Sequence, residues 1–408
     1  MRYVIIGNSA AAVGAVEGIR KNDKQGEITI VSDEKYVAYS RPLISYLLQG
    51  KTTEQKMKYR SDNFYEDNKC NLILGVKAEK IDANTKTIEL NDNRKIKYDK
   101  LLVATGSSAF VPQMSGLESV KNKFAFMNLD DCFALKKVID ENKKVLIIGA
   151  GLIGLKCAEG IKDSVFGITV VDLAPNILSS ILDSDGAEIV KKHLENCGIK
   201  FKLSCGVEKI DEQTAYLNNG DKIEFDILVL AVGVRPNIEL LKDIVDTEKA
   251  IIINGKSETS IKDIYSAGDC TQTIDVSSGE SKVMALLPNA YMQGEVAGIN
   301  MSGGDAAFGQ AIPMNAIGFF GLHIITAGSY CGETYCAKEQ ENYKKLFYSD
   351  NKLNGYILVG ETDKAGIYTA MVRNKTPLDN LDFELICKKP SLIAFSKQER
   401  KIKLGGEV

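Results

Sequence analysis

The residues of this chain best suited to chemistry are glycines at a fixed spacing. Gly149-x-Gly151-x-x-Gly154 follows the apolar run Lys144-Val145-Leu146-Ile147-Ile148 and opens an apolar, helix-forming stretch. Glycines so placed permit a tight turn and let backbone N–H groups approach a pyrophosphate at the positive end of a helix. Asp172 ends the next apolar run, where a carboxylate accepts from the hydroxyls of an adenosine ribose. A 2′-phosphate there would be repelled by Asp172, and the residues that follow, Leu173, Ala174, Pro175 and Asn176, bring no cation. The pattern predicts a dinucleotide site that takes NADH rather than NADPH.

A degenerate copy stands near the N-terminus. Gly7-x-Ser9-x-x-Ala12 follows Tyr3-Val4-Ile5-Ile6, and Ser9 and Ala12 are small enough for close approach. Ser32 takes the usual acid position at the end of the following strand, so Asp33 or Glu34 is expected on the ribose; solvated acids at a strand end are the plain alternative. Other apolar runs end at Ala104-Thr105-Gly106, at Gly233 and at Gly268-Asp269. In open α/β sheets ligands bind beyond the carboxyl ends of the strands, which makes these residues candidate cofactor contacts.

The elements that must hold these residues are legible as β–α–β units. A helix to about Lys21 follows the first strand, and Ile28–Val31 is the next strand. Ile168–Asp172, Leu101–Ala104, Ile227–Ala231 and Ile264–Ala267 are further strands. After about Gly309 the pattern changes, and Lys345–Tyr348 and Gly355–Val359 predict antiparallel strands. The expected fold class is α/β, with two Rossmann-like dinucleotide-binding domains and a C-terminal α+β domain. The expected division is 1–112 with 245–310 for the first nucleotide domain, 113–244 for the second, and 311–408 for the C-terminal interface domain.

Composition excludes several classes. The chain has 408 residues, 26% charged, and a net charge of -3, so it offers no basic field for nucleic acid. The start, Met1 to Ile19, carries one basic residue and reads as a β–turn–α unit rather than a signal peptide. No apolar run reaches the ~18 residues of a membrane span. Nine cysteines, odd in number and scattered without a Cys-x-x-Cys pair, read as reduced thiols in a cytoplasmic setting. With two histidines besides, a protein-ligated metal or iron–sulfur cluster is not expected; His193 and His323 read as structural. Cys331 and Cys336, spaced Cys-x4-Cys, read as core residues of a strand, with a redox pair as the alternative.

Taken in order, the motifs resemble the FAD-dependent pyridine nucleotide-disulfide oxidoreductase superfamily over nearly the whole chain. Thr259 to Cys270 looks like its second FAD motif, and Leu230-Ala231-Val232-Gly233-Val234-Arg235-Pro236-Asn237 looks like the segment closing its NAD domain. The resemblance implies that Asp269 bonds the FAD ribityl chain, that Ala104-Thr105-Gly106 lies against FAD, and that the helix carrying Met292-Gln293-Gly294 points its N-terminus at the flavin. Disulfide reductases of the superfamily need a cysteine beside the flavin, at a segment that reads Tyr39-Ser40-Arg41-Pro42-Leu43-Ile44-Ser45 here, with no cysteine before Cys70.

Tyr-x-Arg-Pro and Leu353 to Thr362 instead resemble NADH:rubredoxin and ferredoxin reductases and the flavin domain of nitrite reductases. There Arg41 and Pro42 would contact FAD. Relatives often carry Glu where Lys156 stands, paired with a Lys that is missing after Arg41-Pro42; a charge swap predicts Lys156 near flavin N5, with Glu159 pairing to it or reaching the nicotinamide amide. The plain alternative is a lysine that snorkels to solvent. The implied activity is electron transfer from NADH through FAD to a small iron–sulfur protein or a partner subunit. The alternatives are an NADH oxidase using O2 and a flavin- and NADH-binding subunit of a larger redox complex, with monomer and homodimer both open.

Overall fold

A computed structural model describes residues 1–309 and 311–404. The expected domain limits at residue 310 and at residues 405–408 lie outside the described residues.

Runs rich in Val, Ile and Leu, apolar on both faces, form two parallel sheets. The first takes β1 (Arg2–Ile6), β2 (Glu27–Ser32) and β3 (Cys70–Leu74), then an antiparallel meander, β4 (Ala78–Asp82), β5 (Thr87–Leu90) and β6 (Lys95–Lys97), before returning as β7 (Lys100–Val103). Its spatial order is Ile264–Ser266, β7, β1, β2, β3. One sheet thus joins strands from both ends of a long excursion of the chain. Helix α1 (Ala10–Asn22) follows β1, and the short α2 (Ile44–Leu48) and α3 (Phe64–Asp67) follow β2.

The excursion builds the second sheet in the same way. α4 (Leu129–Lys136) leads to the strand Lys144–Ile148, and α5 (Leu152–Ile161) and α6 (Ser184–Asn196) flank the strand Gly167–Val171. The order is Ile199–Lys202, Gly167–Val171, Lys144–Ile148, Ile227–Leu230, Lys123–Phe124. The two folds share the backbone bond that sets each glycine turn. Gly7 N–H donates to the Val31 carbonyl at 2.7 Å and Gly149 N–H to the Val171 carbonyl at 2.8 Å. Their meanders even share a tetrapeptide, Glu79-Lys80-Ile81-Asp82 and Glu208-Lys209-Ile210-Asp211, each beside a register shift.

The C-terminal part is a five-stranded antiparallel sheet, ordered Met314–Phe319, Leu322–Gly328, Lys352–Val359, Asn342–Ser349, Glu333–Glu339. Tyr368, Met371 and Val372 pack on it from the helix Ala365–Asn374. The expectation that Cys331 and Cys336 are core is corrected: both thiols are exposed. Cys331 lies in the loop before Glu333–Glu339, and Cys336 lies on that strand, which among the described residues is the outermost of its sheet, paired on one side only. Among the described residues no helix is long and apolar enough to cross a membrane.

α1 and α7 (Leu287–Met301) pack backbone against backbone. A Cβ at Gly14 would collide with the Tyr291 carbonyl oxygen, and one at Gly18 with that of Glu295. The reverse also holds, with Gly294 against the Ala11 carbonyl and Gly298 against that of Ala15. Replacing Gly294 with Val should destabilise the protein by about 3 kcal/mol or more, because backbone cannot be repacked as a side chain can. Gly167→Ala, where an added Cβ meets nothing, is the control. Urea unfolding would read the difference, and equal midpoints would show that the crossing opens at little cost.

Candidate functional site

A cavity of about 610 Å³ opens at the carboxyl end of the first sheet. Gly7, Ser9 and Ala10 line it where β1 turns into α1. Gly7 has φ +109°, and a Cβ there would strike the Ala104 carbonyl, so the turn demands glycine twice over. Ser9 is the helix N-cap without a side-chain bond, and the first turn holds no acid, so the unpaired N–H groups and the helix dipole serve an anion.

Asp33 and Glu34 line the cavity from the end of β2. Glu34 accepts from Tyr39 Oη at 2.7 Å and forms an ion pair with Arg41, which also lines the cavity. Arg41 lies over the Tyr39 ring, 5.3 Å from its centroid, and donates to the Met127 carbonyl at 3.3 Å. Burial raises the Tyr39 hydroxyl above its ordinary pKa, so it stays a donor to Glu34. It also accepts from Leu129 N–H at 3.1 Å, tying the cavity wall to α4.

Ala104, Thr105 and Gly106 line the cavity after β7, and Gly268 and Asp269 after Ile264–Ser266. Asp269 accepts from Ser107 Oγ at 3.0 Å; burial pushes its carboxyl up, while Ser107 and Arg41 pull it down. Leu287 and Ala290 bring the N-terminal turn of α7 to the same space. Met292-Gln293-Gly294 falls further along that helix, and Gln293 Oε1 accepts from Gly268 N–H at 2.8 Å. Two predicted contacts do not line the cavity. Ala12 is fully buried on the core face of α1, and Pro42 is the middle residue of the turn Arg41–Leu43 that leads into α2.

The donor set fits FAD. Helix N–H groups and Arg41 suit a pyrophosphate, the carboxylates of Glu34 and Asp269 suit sugar and ribityl hydroxyls, and glycines leave room along the chain.

In the second fold Gly149 has φ +111° and abuts the Ala231 carbonyl, and Gly154 abuts the carbonyl of Gly149. A Cβ at Gly151 or Gly233 would meet nothing, which leaves both faces open to a ligand. Asp172 accepts from Ala150 N–H at 2.6 Å and Ala174 N–H at 2.8 Å, so the acid also holds the glycine turn in shape. These residues sit at the carboxyl end of their sheet, as Gly7 and its partners do in theirs.

Lys156 and Glu159 stand apart from the cavity lining, on α5. Their side chains form an ion pair. Lys156 also donates to the Gly318 carbonyl at 3.2 Å and lies 4.9 Å from the Tyr46 ring centroid. Glu159 accepts from Phe320 N–H at 2.8 Å. At 16% side-chain exposure Lys156 is not a snorkelling lysine. The pair sits where α2, α5 and the C-terminal hairpin meet. His193 Nε2 donates to the Phe319 carbonyl at 3.1 Å of the same hairpin.

The sequence reading did not single out Asn237, Ser107 or the side chain of Gln293 as site residues. Asn237 was legible only as part of a motif, and its partners are distant in sequence.

Two nucleotide folds in one chain, the first with a cavity shaped for FAD, define a flavoenzyme that exchanges electrons with a nicotinamide. The chain belongs to the pyridine nucleotide-disulphide oxidoreductase family, whose pattern matches residues 1–294. Residues 313–376 match the rubredoxin NAD+ reductase C-terminal domain. It is 29% identical to the NADH-dependent phenylglyoxylate dehydrogenase subunit epsilon of Aromatoleum evansii, covering 93% of each chain. It is 36% identical to an NADH oxidase of Methanocaldococcus jannaschii, covering 76% of this chain and 71% of that one. The crystal structure of NADH:rubredoxin oxidoreductase from Clostridium acetobutylicum superposes with a TM-score of 0.74 at 26% identity, covering 93% and 96% of the two chains. The protein is an FAD-dependent NADH oxidoreductase.

Replacing Asp172 with Ala removes the acceptor that holds the glycine turn and the carboxylate expected on the ribose. The KM for NADH should rise about tenfold, the worth of one or two hydrogen bonds, while FAD content stays unchanged. A fall in FAD content with an unmoved KM would reverse the assignment of the two folds.

Proposed function

We propose that the chain moves electrons from NADH to a small iron–sulfur protein of rubredoxin or ferredoxin type, or to a partner subunit that carries such a centre. Bound FAD would supply the chemistry, accepting a hydride from NADH and releasing electrons singly. The chain's residues do the rest. The glycine turn and Asp172 hold NADH; the N-terminus of α1, Arg41 and Asp269 hold FAD; Thr105 and Gly106 shape one wall of the FAD cavity.

The observation that carries this reading is the absence of a thiol where one would be needed for disulfide chemistry. Among the described residues no cysteine lines the cavity, and the segment Tyr39–Ser45 offers an arginine and hydroxyls instead. With no thiol to pass electrons to a disulfide, electrons leave to an external acceptor. The match of residues 313–376 to a rubredoxin reductase domain supports the same direction. The similarity to an NADH oxidase favours O2 as the second reading.

NADH oxidation measured with rubredoxin, with ferredoxin and with O2 alone separates these. Turnover with an iron–sulfur carrier should exceed that with O2 by at least about tenfold, as expected for an evolved acceptor over an incidental one. Faster turnover with O2 than with any carrier would transfer the assignment to an oxidase.

Lys156 and Glu159 are proposed to serve this reaction from α5, the helix that opens at the Gly149–Gly151 turn. The enclosed ammonium favours the negative charge that reduction brings to the cofactor, and Glu159 fixes where it points. Lys156→Met should slow reduction by NADH about tenfold with FAD still bound, a typical cost for one preorganised charge. An unchanged rate sinks the idea.

A further inference from the structure

Asn237 joins the two nucleotide folds, although it belongs to neither glycine motif. It follows Val234–Pro236, a strand that carries the chain out of the second fold and pairs antiparallel with Ser107–Ala109 of the first. Its amide donates to the Thr105 carbonyl at 2.9 Å and accepts from Ser108 Oγ at 2.8 Å. Thr105 Oγ1 donates to the Asn237 carbonyl at 2.7 Å, and Asn237 N–H reaches the Gly106 carbonyl at 3.0 Å. Ser107 lies inside this clamp. Its register partner is Pro236, its neighbours on both sides are bound to Asn237, and its own hydroxyl is spent on Asp269.

We infer that Asn237 is a positioning residue for Asp269: it fixes the Thr105–Ser108 turn so that Ser107 keeps the Asp269 carboxylate in place as an acceptor for the hydroxyls of the bound ligand. The inference rests on the reading of the cavity as the FAD site.

Asp269 accepts with both oxygens only while ionised, and its burial works against ionisation. Few groups oppose that. Arg41 reaches it from the segment after β2, with its charge shared with Glu34. Cys270, its chain neighbour, is a fully buried thiol whose own pKa is raised by that burial. The α7 turn contributes Leu287 and Ala290, which do not titrate. Ser107 is the remaining support. Without its hydrogen bond the Asp269 pKa rises further, a larger fraction is protonated at a given acidic pH, and FAD is released at a higher pH than before.

The test is acid release of FAD from the loaded protein, followed by the fluorescence of free flavin. Ser107→Ala and Asn237→Ala should each move the release midpoint up by about one pH unit, the size of one hydrogen bond to an ionised group. Ser107→Thr, which keeps the hydroxyl, should restore the midpoint. The double variant should release no earlier than Ser107→Ala alone, since the two act through one bond. Equal loosening of FAD at every pH, or additive shifts in the double variant, would overturn the inference. Where Asn237→Ala fails to fold, Ser108→Ala, which removes only the hydroxyl that donates to the Asn237 amide, carries the test: it should move the midpoint in the same direction, and no shift would overturn the inference. A wild-type protein that takes up no FAD would instead refute the reading of the cavity, a result separate from any ordering of the variants.

Discussion

The crossing of α1 and α7 sets the geometry on which the cavity depends. Four glycines, Gly14 and Gly18 on one helix and Gly294 and Gly298 on the other, let backbone meet backbone. Each glycine inside a helix costs about 1 kcal/mol relative to alanine. That cost is offset only if close approach is itself required, and here it is. α1 springs from β1, while α7 follows the strand Ile264–Ser266 on the far side of β7. With the helices in contact, the N-terminus of α1 and the first turn of α7 open on one cavity. Larger residues would part the helices and separate the anion-binding turn from the Gly268-Asp269 turn, which Gln293 of α7 holds through Gly268.

The second fold solves the same local problem with the same bonds. Gly149 against Ala231 repeats Gly7 against Ala104, and the N–H of Lys144 bonds Asp226 as that of Arg2 bonds Asp99. Where the two copies differ, their tasks differ. The second keeps its acid, Asp172, on the glycine turn, and α5 starts against an open face at Gly151. The first has Ser32 at the equivalent strand end and recruits Glu34 and Arg41 from the segment beyond. An ion pair along the wall, rather than a single acid at the turn, suits a longer ligand that must be gripped at several points.

Much of this was legible in the sequence because it is local. Both glycine turns, Asp172, the Thr105-Gly106 turn and Asp269 fall at strand ends that hydrophobic runs mark clearly. The helix limits follow from the same runs. What was not legible depends on pairing between distant segments. Asn237 acquires its role from Thr105 and Ser108, which no periodicity links to it. The repeated Glu-Lys-Ile-Asp stands in the sequence, but its meaning needs the two meanders to be seen in the same place on two sheets. Cys336 has aromatic and small apolar neighbours, a core-like context, yet its strand is the last of its sheet. Order within a sheet is a tertiary fact, and it decided the exposure.

Lys156 and Glu159 raise a question of energy that bears on the same division. A buried ion pair contributes little net stability, since desolvation of both charges offsets their attraction, and well-packed apolar side chains of similar volume are often as good. Stability alone therefore gives no reason to hold such a pair at the junction of α2, α5 and the C-terminal hairpin. Direction does. Glu159 accepts from the N–H of Phe320, and Lys156 donates to the carbonyl of Gly318, so the pair grips the backbone of the turn on both sides of Phe319. An apolar pair could fill the space but could not specify where that turn sits. The C-terminal sheet is thereby referred to α5, the helix that begins at the Gly149–Gly151 turn. The placement of the C-terminal sheet is thus set by the same helix that opens the second glycine turn.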